Sequence, residues 1–528
     1  MKKILALLGF FGLFLISCSN DDNGAVDPGP TEPTPENYTA GSADFSKYVA
    51  VGNSLTAGYS DNALFIDGQT ASLPNMLATS FAEVGGGEFT IPFMADNLGG
   101  LTLGGQPITG NRLILSFASG SPAPVPVEGQ GSTEVSNVLA GPFNNMGIPG
   151  AKSFHLVAPG YGNVAGVAIG QANPYYTRIA SEPNATVIGD AVAQNPSFFS
   201  LWIGNNDILS FAVSGGAGVD QTGNLDPSTY GGNDITDPNV FANVYNGLLQ
   251  ALTANGADGA IANIPNVIDI PYFTTVPFAP LDPTNPDFGP QIPLLNQNFG
   301  QLNLVFAALG VPERSIVFAE DAASALVIKD ESLPDLSQQI TALLVQFGID
   351  AGTAAVTGFL YGQVRQADGN DLVVLPARNE IATLNETAFA ELQDLGVPME
   401  QAGQLAINGI TYPLEDQWIL TPEEQQSVTT ALSAYNQTIN ALAAQYDVAL
   451  VDANAFLSAF AENGVPLADG STVTADYGTG GGFSLDGVHP SPRGYALLAN
   501  LFLEAIEAKY GADLPDVEPL EYTGLYIN

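Results

Sequence analysis

The sequence predicts an α/β protein, with a parallel central sheet covered by helices on both faces and one large insertion. Three observations carry this reading. Short apolar runs alternate with helix-spaced segments, the order that builds a parallel sheet with crossover helices. The clearest run, 197–203 (Ser-Phe-Phe-Ser-Leu-Trp-Ile), is almost uninterrupted, as a strand buried on both faces must be. Clusters of chemistry-bearing residues follow directly after such runs, where open α/β sheets hold their ligands.

Taken in order, Lys47 to Val51 reads as a first strand, and Ser54 opens a helix behind it. Pro74 to Val84 is helical, because Leu77, Phe81 and Val84 share one face. Residues 85–140 are rich in Gly and Pro, with one strand expected at Arg112 to Phe117. Asn145 to Ala151 is a turn after a short strand, and Ala185 to Ala193 a helix. After the 197–203 strand, Asp237 to Ala254 is a helix with an Asp cap and Pro in its first turn. Gly259 to Ile264 is a strand stopped by Pro265. The pattern loosens over 271–420, with helices expected only near Leu295–Leu309 and Leu336–Phe347. It resumes with a long helix from Thr421 to Tyr446, opened by a Thr421/Glu424 capping box. A strand at Val448–Val451 and helices at Ala453–Ala461 and Ser491–Ala508 complete the chain.

The N-terminus carries a different message. Lys2 and Lys3 precede an apolar stretch, Ile4 to Ile16, that is too short to span a bilayer and reads as a secretion signal. It ends in Leu15-Ile16-Ser17-Cys18, which resembles a lipobox, so that Cys18 is expected to be lipidated and to become the first mature residue. Acylation would tether the protein to a membrane without crossing it. The expected location is the bacterial envelope, at the outer membrane, with surface exposure open. Ser19-Asn20-Asp21-Asp22-Asn23 resembles a lipoprotein surface-export signal and equally a plain polar tether. The expected organisation is a signal peptide over 1–17 and a lipidated Cys with a disordered, Pro-rich linker over 18–45. The main α/β domain then takes 46–270 and 421–528, and 271–420 inserts as a lid or subdomain.

Charge narrows the partners. The chain has a formal net charge of −42, which becomes −44 without Lys2 and Lys3. Nucleic acid and anionic lipid surfaces would be repelled. Only 12% of residues are charged and 45% are hydrophobic, so a large core is possible beneath an acidic surface. Cys18 is the only cysteine and the chain has two histidines, which makes a structural zinc site unexpected. No metal or cofactor is expected, and an acidic loop such as Asp368-Gly369-Asn370-Asp371 reads as a solvated turn rather than a calcium loop.

Two histidines also sharpen the search for imidazole chemistry. His489 stands three residues after Asp486 in Ser484-Leu485-Asp486-Gly487-Val488-His489-Pro490. Far upstream, the first strand runs into Gly52-Asn53-Ser54-Leu55. A hydroxyl, a base and a carboxylate that fixes the base's tautomer are the parts of a hydrolytic triad. Two further blocks lie between them: Asn145 through Gly150, and Gly204-Asn205-Asn206-Asp207.

Four such blocks in this order resemble the SGNH or GDSL hydrolases, a family of esterases and lipases. The resemblance spans about 46–270 and 421–512 and leaves the insertion outside. It implies a flavodoxin-like three-layer α/β/α fold. Ser54 would be the nucleophile, with Asp486 and His489 as its triad partners. Ser54, Gly150 and Asn206 would supply the oxyanion-hole donors. Each role has a physical basis. A Ser at a helix start has an unpaired N–H, a Gly leaves its N–H open to approach, and an Asn offers a neutral amide donor. Two departures stand out. The residue before the nucleophile is Asn53 where the family has Asp, and the long gap from Ser54 to Gly150 makes Gly147 the fallback donor.

Each block alone has a plainer reading. Ser54 could simply cap a helix, His489 could sit in a turn, and Asn206 with Asp207 could be caps. His155 is expected to pack, or at most to edge the pocket, and Trp202 with Phe198 and Phe199 is expected in the core. Together the blocks predict an envelope-anchored serine esterase acting on acyl or acetyl esters, from glycan acetyl ester to lipid. The alternative is a surface binding lipoprotein on the same fold, with 271–420 as its binding face.

Overall fold

The computed structural model describes residues 37–118 and 120–527. The expected signal peptide, Cys18 and most of the expected linker lie outside the described residues. Five strands form the central sheet: β1 (Tyr48–Gly52), β2 (Asn145–Gly147), β3 (Phe198–Trp202), β4 (Asp258–Ala262) and β5 (Ala449–Val451). All pairings are parallel and the order is β5-β4-β3-β1-β2. The chain steps from β1 outward to β2, then crosses back to β3. That reversal is the switch point at which a flavodoxin-like sheet opens a ligand crevice. Register makes the opening level, because Gly52 pairs with Gly147 on one side and Trp202 on the other. The loops after β1, β2 and β3 therefore leave the sheet along one rim.

The helices that cover the sheet are α1 (Ser54–Ala57), α2 (Leu73–Ala82), α3 (Val187–Val192), α4 (Asn206–Val213), α5 (Pro238–Thr253), α6 (Pro422–Gln445), α7 (Ala453–Asn463) and α8 (Pro492–Tyr510). Strand side chains alternate, and the alternation builds two cores. Val49 and Val51 of β1, with Phe199 and Leu201 of β3, pack towards α3, α5 and α6. Tyr48, Ala50, Phe198 and Trp202 point the other way, onto α2 and α8. The result is three layers, as the sequence pattern predicts.

Helix starts follow the sequence signals closely. Asp237 caps α5, its Oδ1 accepting from the N–H groups of Asn239 and Val240 at 2.8 and 3.0 Å. Thr421 donates both its N–H and its hydroxyl to Glu424 Oε2 at the start of α6. Ser491 Oγ accepts from the Gly494 N–H at the start of α8.

The linker ends earlier than expected. Residues 38–45 belong to the folded body, because Thr39 and Asp513 exchange backbone hydrogen bonds and Phe45 is buried, stacked on Phe81 at 4.0 Å. A buried aromatic outweighs the polar composition around it. The 271–420 segment holds more helix than its pattern suggested. Beyond Ile292–Ala308 and Ser337–Gln346 there are helices at Ala351–Tyr361, Glu386–Asp394 and Met399–Leu405. Its apolar side chains, such as Phe299, Ile340 and Leu392, join the core on the α5–α6 side of the sheet. Among the described residues no helix is long and apolar enough to cross a membrane.

Candidate active site

The turn from β1 into α1 is tight by construction. A Cβ on Gly52 would stand 2.1 Å from Thr56 Oγ1 and 2.4 Å from the Trp202 carbonyl, so only Gly fits. Asn53 follows, fully buried. Its Oδ1 accepts from the Leu55 N–H at 3.0 Å, and its Nδ2 donates to Asn205 Oδ1 at 3.2 Å. This neutral pair joins the loops after β1 and β3 where the family resemblance leads one to expect a carboxylate. Ser54 is thereby held at the first position of α1, where its N–H has no helical partner.

The remote C-terminal turn comes to it. His489 Nε2 lies 2.9 Å from Ser54 Oγ, and His489 Nδ1 lies 2.9 Å from Asp486 Oδ2. The carboxylate can only accept, so Nδ1 carries the proton and Nε2 is left free to accept from the serine hydroxyl. Asp486 is saturated with donors. Oδ1 takes the Val488 and His489 N–H groups, and Oδ2 takes the imidazole and the Asn62 N–H. Burial works against its charge, but the imidazole and these backbone donors prevail and hold the carboxyl at about 2. Gly487 makes the turn possible at φ +72°, where a Cβ would meet Leu375 at 2.8 Å.

The expected oxyanion residues lie along the same rim. Asn206 heads α4, and its Nδ2 donates to the Ala151 carbonyl at 2.9 Å, tying the loop after β3 to the turn after β2. One amide hydrogen is thus committed and the second remains. Gly150, in the turn at φ +79°, is exposed, with Asn173 Nδ2 at 4.0 Å from where a Cβ would stand, and its N–H donates to no described residue. The fallback Gly147 is ruled out as a donor, because its N–H is spent on Asn145 Oδ1 at 2.9 Å. Asp207, fully buried, accepts from both the N–H and the hydroxyl of Ser153. It braces the turn rather than facing the pocket, and burial pushes its carboxyl up.

His155 is a packing residue and does not line the pocket around Ser54. Its ring stacks on Tyr161 at 4.6 Å and its Nδ1 accepts from the Lys152 N–H. Burial, then the Lys152 charge, pushes it down to about 4. Trp202 packs in the core as expected, but one side of it also lines the pocket. Asp371 is clamped by Arg365, and Asp368 accepts from the Asn370 N–H, which makes 368–371 a closed turn. Among the described residues no group of three His, Cys, Asp or Glu is placed to hold a metal ion.

Sequence reasoning missed the shell behind the triad. Tyr59 packs its ring 4.7 Å from that of His489. Asp61 and Asn62 sit at φ 50° and 65°, a conformation that Asp and Asn tolerate best among residues with a side chain. Asp61 is buried; its N–H donates to Ser484 Oγ and its Oδ1 accepts from the Leu485 N–H. The only signal for this was the Asp-Asn pair itself, a turn former a few residues past Ser54. The second missed support comes from the start of the 271–420 segment, where the Tyr272 N–H donates to the Gly487 carbonyl at 2.9 Å.

Asp61 yields a testable pH dependence. Burial first, and then the nearby Asp486 charge, push its carboxyl up to about 7, against the opposing Leu485 N–H. A folded-state value above the unfolded one favours the neutral acid. Its contribution to stability is full below about pH 4 and is lost as pH rises through about 7. Asp61→Asn keeps a neutral group of the same shape. The variant is expected to match wild type near pH 4 and to exceed it by about 2–4 kcal/mol at pH 8. Urea unfolding at the two pH values measures the gap, and an equal difference at both would refute this account.

A flavodoxin-like three-layer sheet that brings Ser54, His489 and Asp486 together at its switch point has the geometry that a serine hydrolase requires. Comparison with known families is consistent with this. The GDSL-like Lipase/Acylhydrolase family model matches residues 342–502, under a third of the chain. Over those residues the chain is similar to the GDSL hydrolases, which supports an acylhydrolase type of activity. The match takes in Asp486 and His489, stops short of Ser54, Gly150 and Asn206, and begins inside the segment first read as lying outside the resemblance. No curated protein matches the chain.

Proposed function

We propose that this protein is a serine esterase that works through an acyl-enzyme, anchored in the bacterial envelope by a lipid on Cys18. The observation that carries the catalytic reading is the unbroken relay from Ser54 Oγ to His489 Nε2, and from His489 Nδ1 to Asp486, at 2.9 Å in each step. Ser54 Oγ attacks the ester carbonyl while His489 Nε2 takes its proton. The C–O bond to the alcohol breaks, and the same proton leaves on that alcohol. Water, deprotonated in turn by His489, then cleaves the acyl–Ser54 bond and regenerates the hydroxyl. Asp486 stays ionised and holds the imidazole in register throughout. The carbonyl oxygen, negative in the tetrahedral intermediate, would be met by the Ser54 and Gly150 N–H groups and the second N–H of Asn206. Each such donor is worth about 10²–10³ in turnover.

A fluorophosphonate probe tests the nucleophile directly. It should label wild type on Ser54 and leave Ser54→Ala unlabelled. Labelling elsewhere, or none on an active enzyme, would overturn the assignment.

The anchoring reading rests on the N-terminal sequence. Cys18→Ser should move the protein from the membrane fraction to the soluble fraction of the expressing bacterium. Continued membrane recovery of that variant would refute a lipid on Cys18.

A further inference from the structure

A cavity of about 770 Å³, including its part open to solvent, begins at Ser54 and His489 and runs away from the rim between α7, α8 and the 265–270 turn. Trp202, Val267, Phe456, Phe460, Phe483 and Leu497 line its length. No Asp, Glu, Lys or Arg lines it, in a chain that carries 54 acidic residues.

Its polar side chains gather at the end that holds Ser54 and His489. Asn53 and Asn205 bond to each other, and Asn206 bonds to Ala151. Trp202 Nε1 donates away from the cavity to the Asn263 carbonyl at 3.2 Å. A sugar placed along the apolar stretch from Val267 to Phe460 would lose water from its hydroxyls with no side-chain partner there, which is costly. A hydrocarbon chain would lose nothing and bury its whole length.

We infer that this cavity takes a linear aliphatic chain of the substrate ester, several methylenes or longer, so that the enzyme is an esterase of fatty esters rather than of acetylated glycans. The inference rests on the proposed role of Ser54, because the cavity gains its meaning from opening at that hydroxyl. The chain could be carried by the acyl half or by the alcohol half.

Two ester series separate these sources. One extends the acyl chain of p-nitrophenyl esters from acetate to laurate; the other extends the alcohol of alkyl acetates. In the series whose chain enters the cavity, kcat/KM should rise about threefold to fourfold per added methylene until the cavity is full. Val267→Phe narrows the passage and Phe456→Ala widens it. The first should move the optimum to shorter chains and the second to longer ones. Circular dichroism and an unchanged urea-unfolding midpoint in both variants report that they fold. Flat series with hydrolysis that still depends on Ser54 would overturn the cavity assignment and leave the serine mechanism standing. Hydrolysis retained by Ser54→Ala would overturn the mechanism on which the assignment rests.

Discussion

Ser54→Ala is expected to lower kcat for ester hydrolysis by about 10⁴–10⁶-fold, the range set by nucleophile deletions in other triads. The hydroxyl is nearly buried and its recorded side-chain bond is to His489, so its removal leaves packing and strand register untouched. KM should stay within a few-fold, because the cavity and the backbone donors remain. Steady-state kinetics on a chromogenic ester, with circular dichroism as the check on folding, decide the point. A variant that keeps more than a tenth of wild-type turnover would remove Ser54 from the mechanism.

The second large effect is expected at Asp486. Asp486→Asn should reduce kcat by about 10⁴-fold, because an amide facing Nδ1 favours the tautomer with its proton on Nε2, which cannot accept from Ser54. The same change acts on stability. The carboxylate receives four hydrogen bonds, and one amide oxygen cannot replace two carboxylate oxygens in that arrangement. A loss of about 1–3 kcal/mol at pH 7 is expected. With its folded value held at about 2, below the 3.8 of a free Asp, this group stabilises the fold above about pH 4. That contribution fades as pH falls through about 2. The gap between wild type and variant should therefore narrow in acid. Denaturant unfolding at pH 7 and pH 2.5 tests the sign, and a gap that widens in acid would contradict it.

Much of this fold was legible because local and tertiary signals agree. The 197–203 run is apolar on both faces because β3 is covered on both faces, and Thr421, Asp237 and Ser491 mark helix starts by chemistry that needs no distant partner. The blocks around Ser54 and His489 were readable because each is a short turn with strict residue needs. What was not legible depends on contacts far along the chain. Phe45 looks like linker until Phe81 stacks on it. Gly147 and Gly150 look interchangeable until the Asn145 side chain takes the N–H of one. Asp61 looks like a surface turn residue until Ser484 and Leu485 close over it. The cavity is least visible of all, since Val267, Phe456 and Leu497 are ordinary core residues in a one-dimensional reading. Only their meeting beside Ser54 distinguishes them.

The bond from Tyr272 to Gly487 limits how far this chain could be trimmed. Lengthening a surface excursion costs little entropy, which is why a segment of this size can be carried at all. Its two footholds on the 486–489 turn are another matter. Excising 271–420 to obtain a smaller hydrolase would strip Gly487 of both its carbonyl partner and the Leu375 side chain beside it. Tyr272 and Leu375 therefore belong to the smallest chain in which the 486–489 turn keeps its neighbours.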